Sequence, residues 1–162
     1  MTATNGQPEA LGPGEMDAWI AFLQAATLAL EALDKALDEH DITLSDYEIL
    51  VWLSESPDRR LAMSDLANNV LMPKSRLTYR VDRLEQAGFV ERQACPDDAR
   101  RIWATLTATG YKALQKAWPD HLASVREFVI DPINRRDLAA TTRSLQGMVD
   151  ALGGLRLPAR PT

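Results

Sequence analysis

One segment of the chain combines basic and hydroxyl side chains at a spacing that suits nucleic-acid binding. If Leu77, Val81 and Leu84 face inward on a helix, the outward face of that helix carries four cations and three hydroxyl groups: Lys74, Ser75, Arg76, Thr78, Tyr79, Arg80 and Arg83. Such cations and hydroxyls bind phosphates and base edges. The alternative is an ordinary solvated face whose cations pair with Asp82 and Glu85. The positive charge lies mainly in the first half of the segment, where a recognition helix enters a groove, and this favours DNA contact.

Charge is distributed unevenly along the 162 residues, although the formal net charge is −5. Residues 1–58 contain one lysine against twelve acidic side chains, whereas residues 59–101 contain nine basic side chains against six acidic ones. This asymmetry allows one surface to meet a polyanion while the remainder keeps the protein soluble. The content of 46% hydrophobic and 25% charged residues is that of an ordinary globular domain.

Few residues are available for metal, disulfide or nucleophilic chemistry. Cys95 is the single cysteine, and it cannot form an intramolecular disulfide or, with the distant His40 and His121, a zinc site. The sequence contains no recognisable catalytic triad, glycine-rich phosphate loop or paired-carboxylate site, so we expect neither enzymatic activity nor a cofactor. A small helical enzyme with an aromatic pocket is one alternative, and an acid/base pair of defined geometry would identify it.

The ends of the chain are interpreted as tails. Residues 1–15 are rich in glycine and proline and lack the basic and apolar regions of a secretory signal. The uncharged apolar stretches fall short of the ~20 residues that span a bilayer. We therefore expect a cytoplasmic protein that makes no membrane contact.

Hydrophobic spacing predicts a mainly α-helical fold with one β-hairpin. Strands are expected at 61–62, 89–94 and 101–106, the last two joined by a turn. Pro119 should kink or divide the helix that contains it. Six helices are predicted. The first three run from Met16 to about His40, from a capping box at Ser45–Glu48, and over 63–70. The fourth runs from Pro73, at the first helical position, to Ala87 and is followed by a left-handed Gly88; the fifth runs from the cap Thr107 to about Val129, and the sixth follows a capping pair of Asn134 and Asp137. This order is that of a winged helix-turn-helix.

The first and last helices carry apolar stripes with spacings of four and three residues. The stripes are Trp19, Leu23, Ala26, Leu30, Leu33 and Leu37, and Leu138, Thr141, Leu145, Met148 and Leu152. A helix of ~24 residues is ~36 Å long, more than one small domain covers, so a second chain should cover part of it. The predicted organisation is a disordered tail (1–15), an N-terminal dimerisation helix (16–44), a winged helix-turn-helix lobe (45–106), C-terminal dimerisation helices (107–153) and a tail (154–162).

Three stretches of the sequence resemble the DNA-binding core of the multiple antibiotic resistance regulator (MarR) family of bacterial transcription factors. They are Leu61-Ala62-Met63-Ser64-Asp65-Leu66-Ala67, the run from Arg80-Val81-Asp82-Arg83-Leu84-Glu85 to Gly88-Phe89-Val90-Glu91-Arg92, and Pro96-Asp97-Asp98-Ala99-Arg100-Arg101 leading to Leu106-Thr107-Ala108-Thr109-Gly110. The resemblance covers residues 16–153. It implies a homodimer that binds a pseudo-palindromic operator in double-stranded DNA, more commonly as a repressor, and that responds to a small ligand or to oxidation.

The resemblance also implies roles for residues of the wing. Asp98 would brace the hairpin, and Arg100, with Arg101 beside it, would enter the minor groove, where narrow A·T tracts attract arginine. The alternative is an Asp–Arg pair that only ties a tight turn. Asp97 and Ala99 stand where basic residues are common in the family, so we expect a weaker electrostatic contribution from this wing.

The family's effector crevice would be lined by the aromatic side chains and the histidine of the flanking helices: Trp19, Phe22, Tyr47, Trp52, Trp118 and His121. Core packing is the alternative for each of them. Cys95 lies at the wing entrance and not on the first helix, where peroxide-sensing members keep a reactive cysteine, so no redox role is expected. The alternative function is a winged-helix dimer that has lost DNA binding and serves as an interaction module, which the acidic Asp97 and the negative net charge favour.

Overall fold

A computed structural model describes residues 10–70, 72–95 and 98–153, without the side chains of residues 98–100. Its helices and strands are α1 (Pro13–Lys35), α2 (Leu44–Glu55), β1 (Arg60–Ala62), α3 (Met63–Asn69), α4 (Lys74–Gln86), β2 (Val90–Cys95), β3 (Asp98–Leu106), α5 (Ala108–Val125) and α6 (Leu138–Ala151). Short turns of 3₁₀-helix follow α1 and α2, and a π-helical turn, Arg126–Ile130, continues α5. The predicted fold, a mainly α-helical winged helix-turn-helix, is confirmed.

The core lies where α2, α3 and α4 pack against the sheet. The α4 side chains Leu77, Val81 and Leu84 are buried, as their spacing predicts. Helix α2 is apolar on most sides and contributes Leu50 and Leu53 to the same cluster. The inward residues of the sheet and of α3 complete it, among them Leu66, Ala104 and Leu106. The burial of this cluster fixes α4 with its opposite face toward solvent.

The sheet is antiparallel with the strand order β1-β3-β2. Leu61 of β1 pairs with Ala104 of β3, and Arg92 of β2 pairs with Ala104 from the other side. Strand β3 begins at Asp98, three residues before the predicted start, and the register shifts at a bulge between Ala94 and Cys95. The hairpin is therefore longer than predicted. Residues 96–97 of the predicted turn lie outside the described residues.

Two predicted helix starts near the N-terminus were wrong. Helix α1 begins at Pro13, so the predicted tail 1–15 overlaps its first turn; residues 1–9 lie outside the described part of the chain. Helix α2 is capped by Thr43, whose Oγ1 accepts a hydrogen bond from Asp46 N at 3.2 Å, while Asp46 Oδ2 accepts one from Thr43 N at 3.1 Å. The capping box is thus Thr43–Asp46 and not Ser45–Glu48. A threonine followed by an aspartate at N3 satisfies both backbone donors as well as the predicted pair would.

Later helix ends agree in part with the prediction. Pro73 is the N-cap residue of α4 and not its first residue, whereas Gly88 follows the helix at φ 73° as predicted. Thr107 caps α5 through a 3.0 Å hydrogen bond from Gly110 N to its Oγ1. Pro119 does not divide α5, which runs on to Val125.

Helix α6 begins later than predicted. The proposed Asn134–Asp137 capping pair is wrong, because Asn134 Oδ1 accepts from Arg136 N within a turn. Asp137 is the N-cap residue, but its side chain forms no capping hydrogen bond. The asparagine side chain therefore stabilises the turn before α6, and such local hydrogen bonds commonly compete with helix capping.

The apolar stripes of α1 and α6 are exposed along most of their length in the single chain. Trp19, Leu23, Leu145 and Met148 are among the exposed large hydrophobic side chains, whereas Leu37, at the end of the first stripe, is fully buried. By length and composition alone, the helix Pro13–His40 is also long and apolar enough to cross a membrane. One such helix near the N-terminus is weak evidence for a membrane span, because an apolar helix face that a second chain covers has the same signature.

Candidate nucleic-acid interface

The outward face of α4 presents cations and hydroxyls to solvent. The exposed side chains of this face are Lys74, Ser75, Arg76, Thr78, Tyr79 and Arg83. Thr78 Oγ1 donates to Lys74 O at 2.9 Å within the helix, so this hydroxyl can serve a ligand only as an acceptor. The three buried positions of α4 hold this face in one orientation because they are packed into the core. The helix can therefore offer several donors to a DNA groove at once.

Arg80 does not share this face, and its predicted outward orientation is wrong. Its side chain is only 17% exposed, and its Nη1 donates to Thr43 Oγ1 at 3.1 Å and lies 3.5 Å from Asp46 Oδ2. Asp46 is buried, and it also accepts from Thr43 Oγ1 at 2.7 Å. Arg80 thus ties α4 to the first turn of α2. A buried carboxylate needs a charged partner, and no other cation in the described part of the chain pairs with it.

The acidic residues of α4 pair with the wing and not with the cations of their own helix. Arg92 of β2 donates to Glu85 Oε2 from Nη2 at 2.6 Å and from Nε at 3.0 Å, and its Nη1 lies 2.7 Å from Asp82 Oδ1. The Arg92 amide also donates to Glu85 Oε1 at 3.0 Å. One guanidinium therefore pairs with both carboxylates and joins α4 to β2. The alternative, in which the α4 cations pair with Asp82 and Glu85 of the same helix, is therefore wrong.

These contacts change the pKa values of both partners. The hydrogen bonds from Arg92 hold the pKa of Glu85 below its ordinary value of 4.5. The Glu85 carboxylate in turn raises the pKa of the Arg92 guanidinium, with a smaller contribution from Asp82. The pair is therefore fully charged at neutral pH. This leaves Lys74, Arg76 and Arg83 as the cations on the exposed face of α4.

In the wing, the backbones of Asp98 and Arg100 lie in β3, and their side chains lie outside the described part of the structure. The predicted brace and minor-groove roles stay predictions. Arg101 is exposed, and its Nη2 donates to Asp65 Oδ2 in the first turn of α3 at 3.0 Å. Cys95 is partly buried opposite Asp98.

An aromatic and basic cluster covers the outer face of the sheet. Two guanidinium groups lie over the Trp103 ring, that of Arg60 at 5.2 Å and that of Arg101 at 5.4 Å from its centroid. Each arginine also has an acidic partner, Asp58 for Arg60 at 3.3 Å and Asp65 for Arg101. These contacts connect Asp58, in the 3₁₀ turn after α2, with Asp65, in the first turn of α3.

The structure brings four of the six predicted effector residues together in two pairs. The Tyr47 ring of α2 contacts the His121 ring of α5 in a tilted arrangement with centroids 4.2 Å apart, and Trp19 and Phe22 of α1 stack with centroids 6.3 Å apart. Tyr47 is buried, Trp52 packs against the core, and Trp118 is exposed. Their part in effector binding stays a prediction.

The elements at this junction tie the first helix to the lobe. Asp34 Oδ1, in α1, accepts from Leu44 N at 2.6 Å, and His40 Nε2 lies 2.8 Å from Asp120 Oδ2 in α5. These contacts join α1 to the start of α2, and α5 to the 3₁₀ turn that follows α1.

Together, the order of elements, the hairpin wing and the cationic α4 define a winged helix-turn-helix protein. Comparison with known proteins agrees: the sequence model of the MarR family matches residues 40–101. The structure is similar to that of AbsC, a MarR family transcriptional regulator from Streptomyces coelicolor, with 38% sequence identity, a TM-score of 0.86 and coverage of 91% of this chain and 100% of the other.

A second similar structure is Sco3205, a MarR family transcriptional regulator from Streptomyces coelicolor solved in complex with DNA. Its identity is 35%, its TM-score 0.87, and the match covers 91% of this chain and 93% of the other. The HTH-type transcriptional regulator PecS of Dickeya dadantii is 27% identical over 133 residues, which are 81% of this chain and 79% of PecS. The chain belongs to the MarR family of transcriptional regulators.

The residues that sequence reasoning missed are those that act through partners distant in the chain. Asp46, Arg92 and Asp65 form the three ion pairs that fix α4 and the wing to their neighbours. Each is separated from its partner by at least seven positions in the sequence. The hydrophobic spacing gives the inward face of an element, but it does not say which charged groups meet across two elements.

Proposed function

We propose that this protein is a homodimeric, ligand-responsive DNA-binding repressor that recognises a pseudo-palindromic operator. The observation that carries the proposal is the exposed face of α4, whose cations are left available because Arg92 takes up the neighbouring acids. The similarity to a regulator solved in complex with DNA supports the same function. It also weighs against an interaction module without DNA binding.

In the proposed complex α4 lies in the major groove and the wing reaches the adjacent minor groove. Arg76, near the start of the exposed face, is placed to bind guanine through two hydrogen bonds. Lys74 and Arg83 neutralise phosphates, and the hydroxyls of Ser75, Thr78 and Tyr79 contribute further contacts. Arg100 follows the minor groove, whose base pattern is degenerate, so it adds affinity more than base specificity.

The proposed dimer is formed by the exposed apolar faces of α1 and α6. A two-fold dimer would place two α4 helices about 10 base pairs apart on one side of the DNA. The exposed stripe residues suit such an interface, since a monomer would leave Trp19, Leu23 and Leu145 in water.

The proposed effector is an apolar aromatic compound, anionic or neutral, that binds between the dimer helices and the lobe. Tyr47 and His121 lie at this junction, and Asp34 and His40 link α1 to α2 and α5. A compound that separates these elements would change the distance between the two α4 helices. DNA affinity would then fall by the ratio of the compound's affinities for the two forms, and DNA would weaken effector binding equally.

The test begins with the DNA fragments that copurify with the protein from its host, sequenced to derive an operator. Binding of that operator and of a scrambled duplex is then measured with and without aromatic carboxylates and neutral aromatic compounds, with calorimetry for effector binding. Preference for the operator, and its reduction by a compound that binds, is the expected result. Equal binding of both duplexes would contradict operator recognition, and a compound that binds without changing DNA affinity would contradict the regulatory part.

A further inference from the structure

Asp65 and Arg101 form an ion pair that joins the wing to the helix-turn-helix. Arg101 Nη2 donates to Asp65 Oδ2 at 3.0 Å, and the two side chains are 49% and 48% exposed. Ser64 Oγ approaches the other carboxylate oxygen, Oδ1, at 3.3 Å. The pair is therefore open to solvent, and an exposed pair of this kind is weak enough for another anion to replace one partner.

The position of the Asp65–Arg101 pair indicates that the replacing anion is a phosphate of the DNA backbone. Asp65 lies in the first turn of α3, the first helix of the helix-turn-helix, which crosses the phosphate backbone in complexes of this type. Arg101 lies on β3, one residue after the predicted minor-groove residue Arg100. A protein with α4 in the major groove and its wing in the adjacent minor groove must straddle the phosphate strand between the two grooves. The pair joins the wing to the helix that crosses that strand, so its guanidinium lies where a backbone phosphate would pass.

We propose that Asp65 is an internal competitor of DNA, which holds Arg101 in the free protein and yields it to a backbone phosphate in the complex. The proposal rests on the proposed DNA-binding function and adds a residue that limits affinity without reading sequence. Trp103 keeps the guanidinium near the sheet surface during the exchange, because the ring contacts Arg101 without binding its hydrogen-bond donors. The guanidinium exchanges one oxygen anion for another, and the carboxylate is released to solvent.

The chain offers a matched control on the same face of the sheet. Asp58 pairs with Arg60 at 3.3 Å, and the Arg60 guanidinium lies over the same Trp103 ring. Asp58 lies in the 3₁₀ turn that follows α2, whereas Asp65 lies in α3. Its φ of 53° is a conformation that asparagine also tolerates, so Asp58→Asn removes the same charge without straining the backbone.

The experiment measures the affinity of the full-length protein for a mixed-sequence duplex and its dependence on salt, for wild type, Asp65→Asn, Asp58→Asn, Arg101→Gln and the double variant Asp65→Asn/Arg101→Gln. Asp65→Asn should raise affinity about 3- to 10-fold, since two half-exposed ion pairs per dimer no longer have to be broken. Arg101→Gln should lower affinity and reduce the salt slope by about 0.9 per lost phosphate contact. Asp58→Asn should change affinity less than about 2-fold.

The double variant separates competition from simple charge repulsion. If Asp65 acts by holding Arg101, Asp65→Asn has little effect in the Arg101→Gln background. An equal gain in both backgrounds, an equal gain from Asp58→Asn, or an unchanged salt slope for Arg101→Gln would each overturn the proposal. If wild type binds no duplex at all, the proposed function fails and this proposal fails with it.

Discussion

Among the exposed residues of α4, Arg76 is the one for which base recognition makes the sharpest prediction. Arg76→Ala should cost ~1–3 kcal/mol on the operator and relax the preference at one position of each half-site. Binding to a scrambled duplex should fall less. The measurement is a titration of both duplexes at several salt concentrations.

Arg76→Lys is the matched control for this prediction. It keeps the positive charge but cannot form two parallel hydrogen bonds with guanine, so it should retain most of the non-specific affinity and lose the base preference. If Arg76→Ala weakened binding to both duplexes equally, α4 would not read sequence through this side chain.

The ion pair between Glu85 and Arg92 makes the stability of the lobe dependent on pH. Because the pKa of Glu85 is lowered in the folded protein, the contribution of the pair is present above the ordinary carboxyl value of 4.5 and is lost as pH falls through the lowered value. Glu85→Gln should therefore reduce the free energy of unfolding at pH 7 by up to ~1 kcal/mol, the range for partly exposed pairs. The difference from wild type should shrink as pH falls below 4.5 and through the lowered pKa of Glu85.

Urea unfolding of both proteins across this pH range is the measurement. Glu91→Gln is the control, because Glu91 is exposed and accepts only from Gln93 among the described residues. A difference between wild type and Glu85→Gln that stayed constant down to pH 3 would contradict the assignment.

At the residue scale, the sequence predicted which α4 positions face the core and which carry the polar face. The spacing of Leu77, Val81 and Leu84 settles this, because only one helical face can be buried. Arg80 escaped the prediction because it lies at the edge of the buried face and its partner, Asp46, comes from another helix. Helical periodicity contains no information on pairs of that kind.

At the element scale, Gly110 fixes how the start of α5 meets the sheet. A Cβ added at Gly110 would stand 2.1 Å from Phe89 O and 2.8 Å from Leu106 Cδ1, and a backbone carbonyl cannot move aside cheaply. Gly110→Ala should therefore destabilise the protein by at least ~1–3 kcal/mol, as other overpacked sites do. The midpoint of thermal unfolding would report it.

Gly147→Ala is the control for Gly110→Ala, because here the same substitution should not destabilise the protein. Gly147 lies within α6, outside the apolar stripe, and nothing stands within 4 Å of the added Cβ. Alanine is favoured over glycine inside a helix by ~1 kcal/mol, so this variant should be equally or more stable than wild type. A loss of stability at Gly147 equal to that at Gly110 would show that the close approach to Phe89 is not the cause.

The elements themselves were predicted better than their ends. The helix-turn-helix, the hairpin and the caps at Gly88 and Thr107 follow from turn chemistry that allows few alternatives. The start of α2 was misplaced because Thr43 and Ser45 are both competent caps, and the choice depends on which acid lies three residues later. The start of α6 was misplaced because Asn134 could serve a turn as well as a helix.

At the scale of the whole molecule, the exposed stripes predict an obligate two-fold dimer of about twice 18.0 kDa. The interface should belong to the class of ~2,000 Å² or more. Light scattering at micromolar concentration is the measurement. A stable monomer there would contradict the prediction.

Leu23 and Leu28 allow a matched test of the seam. Both leucines are exposed on α1, but only Leu23 belongs to the stripe. Leu23→Glu should dissociate the dimer, because a charge would be buried in an apolar interface, whereas Leu28→Glu should leave the mass unchanged. Dissociation by both variants, or by neither, would contradict the assignment of the seam.

Helix α1 buries none of its side chains completely within one chain. The stability of this helix should therefore depend on the concentration of the protein. A helix stabilised mainly by a second copy orders only when that copy is present, so the stability of an obligate dimer rises with concentration. Below the dissociation constant, the dimeric fraction falls with each dilution, and occupancy of a two-fold operator falls more steeply than the number of chains. If the chain is the dimeric repressor proposed above, halving its synthesis in this range of concentration would remove more than half of the operator-bound dimer, so gene dosage would have a sharper effect than for a monomeric regulator.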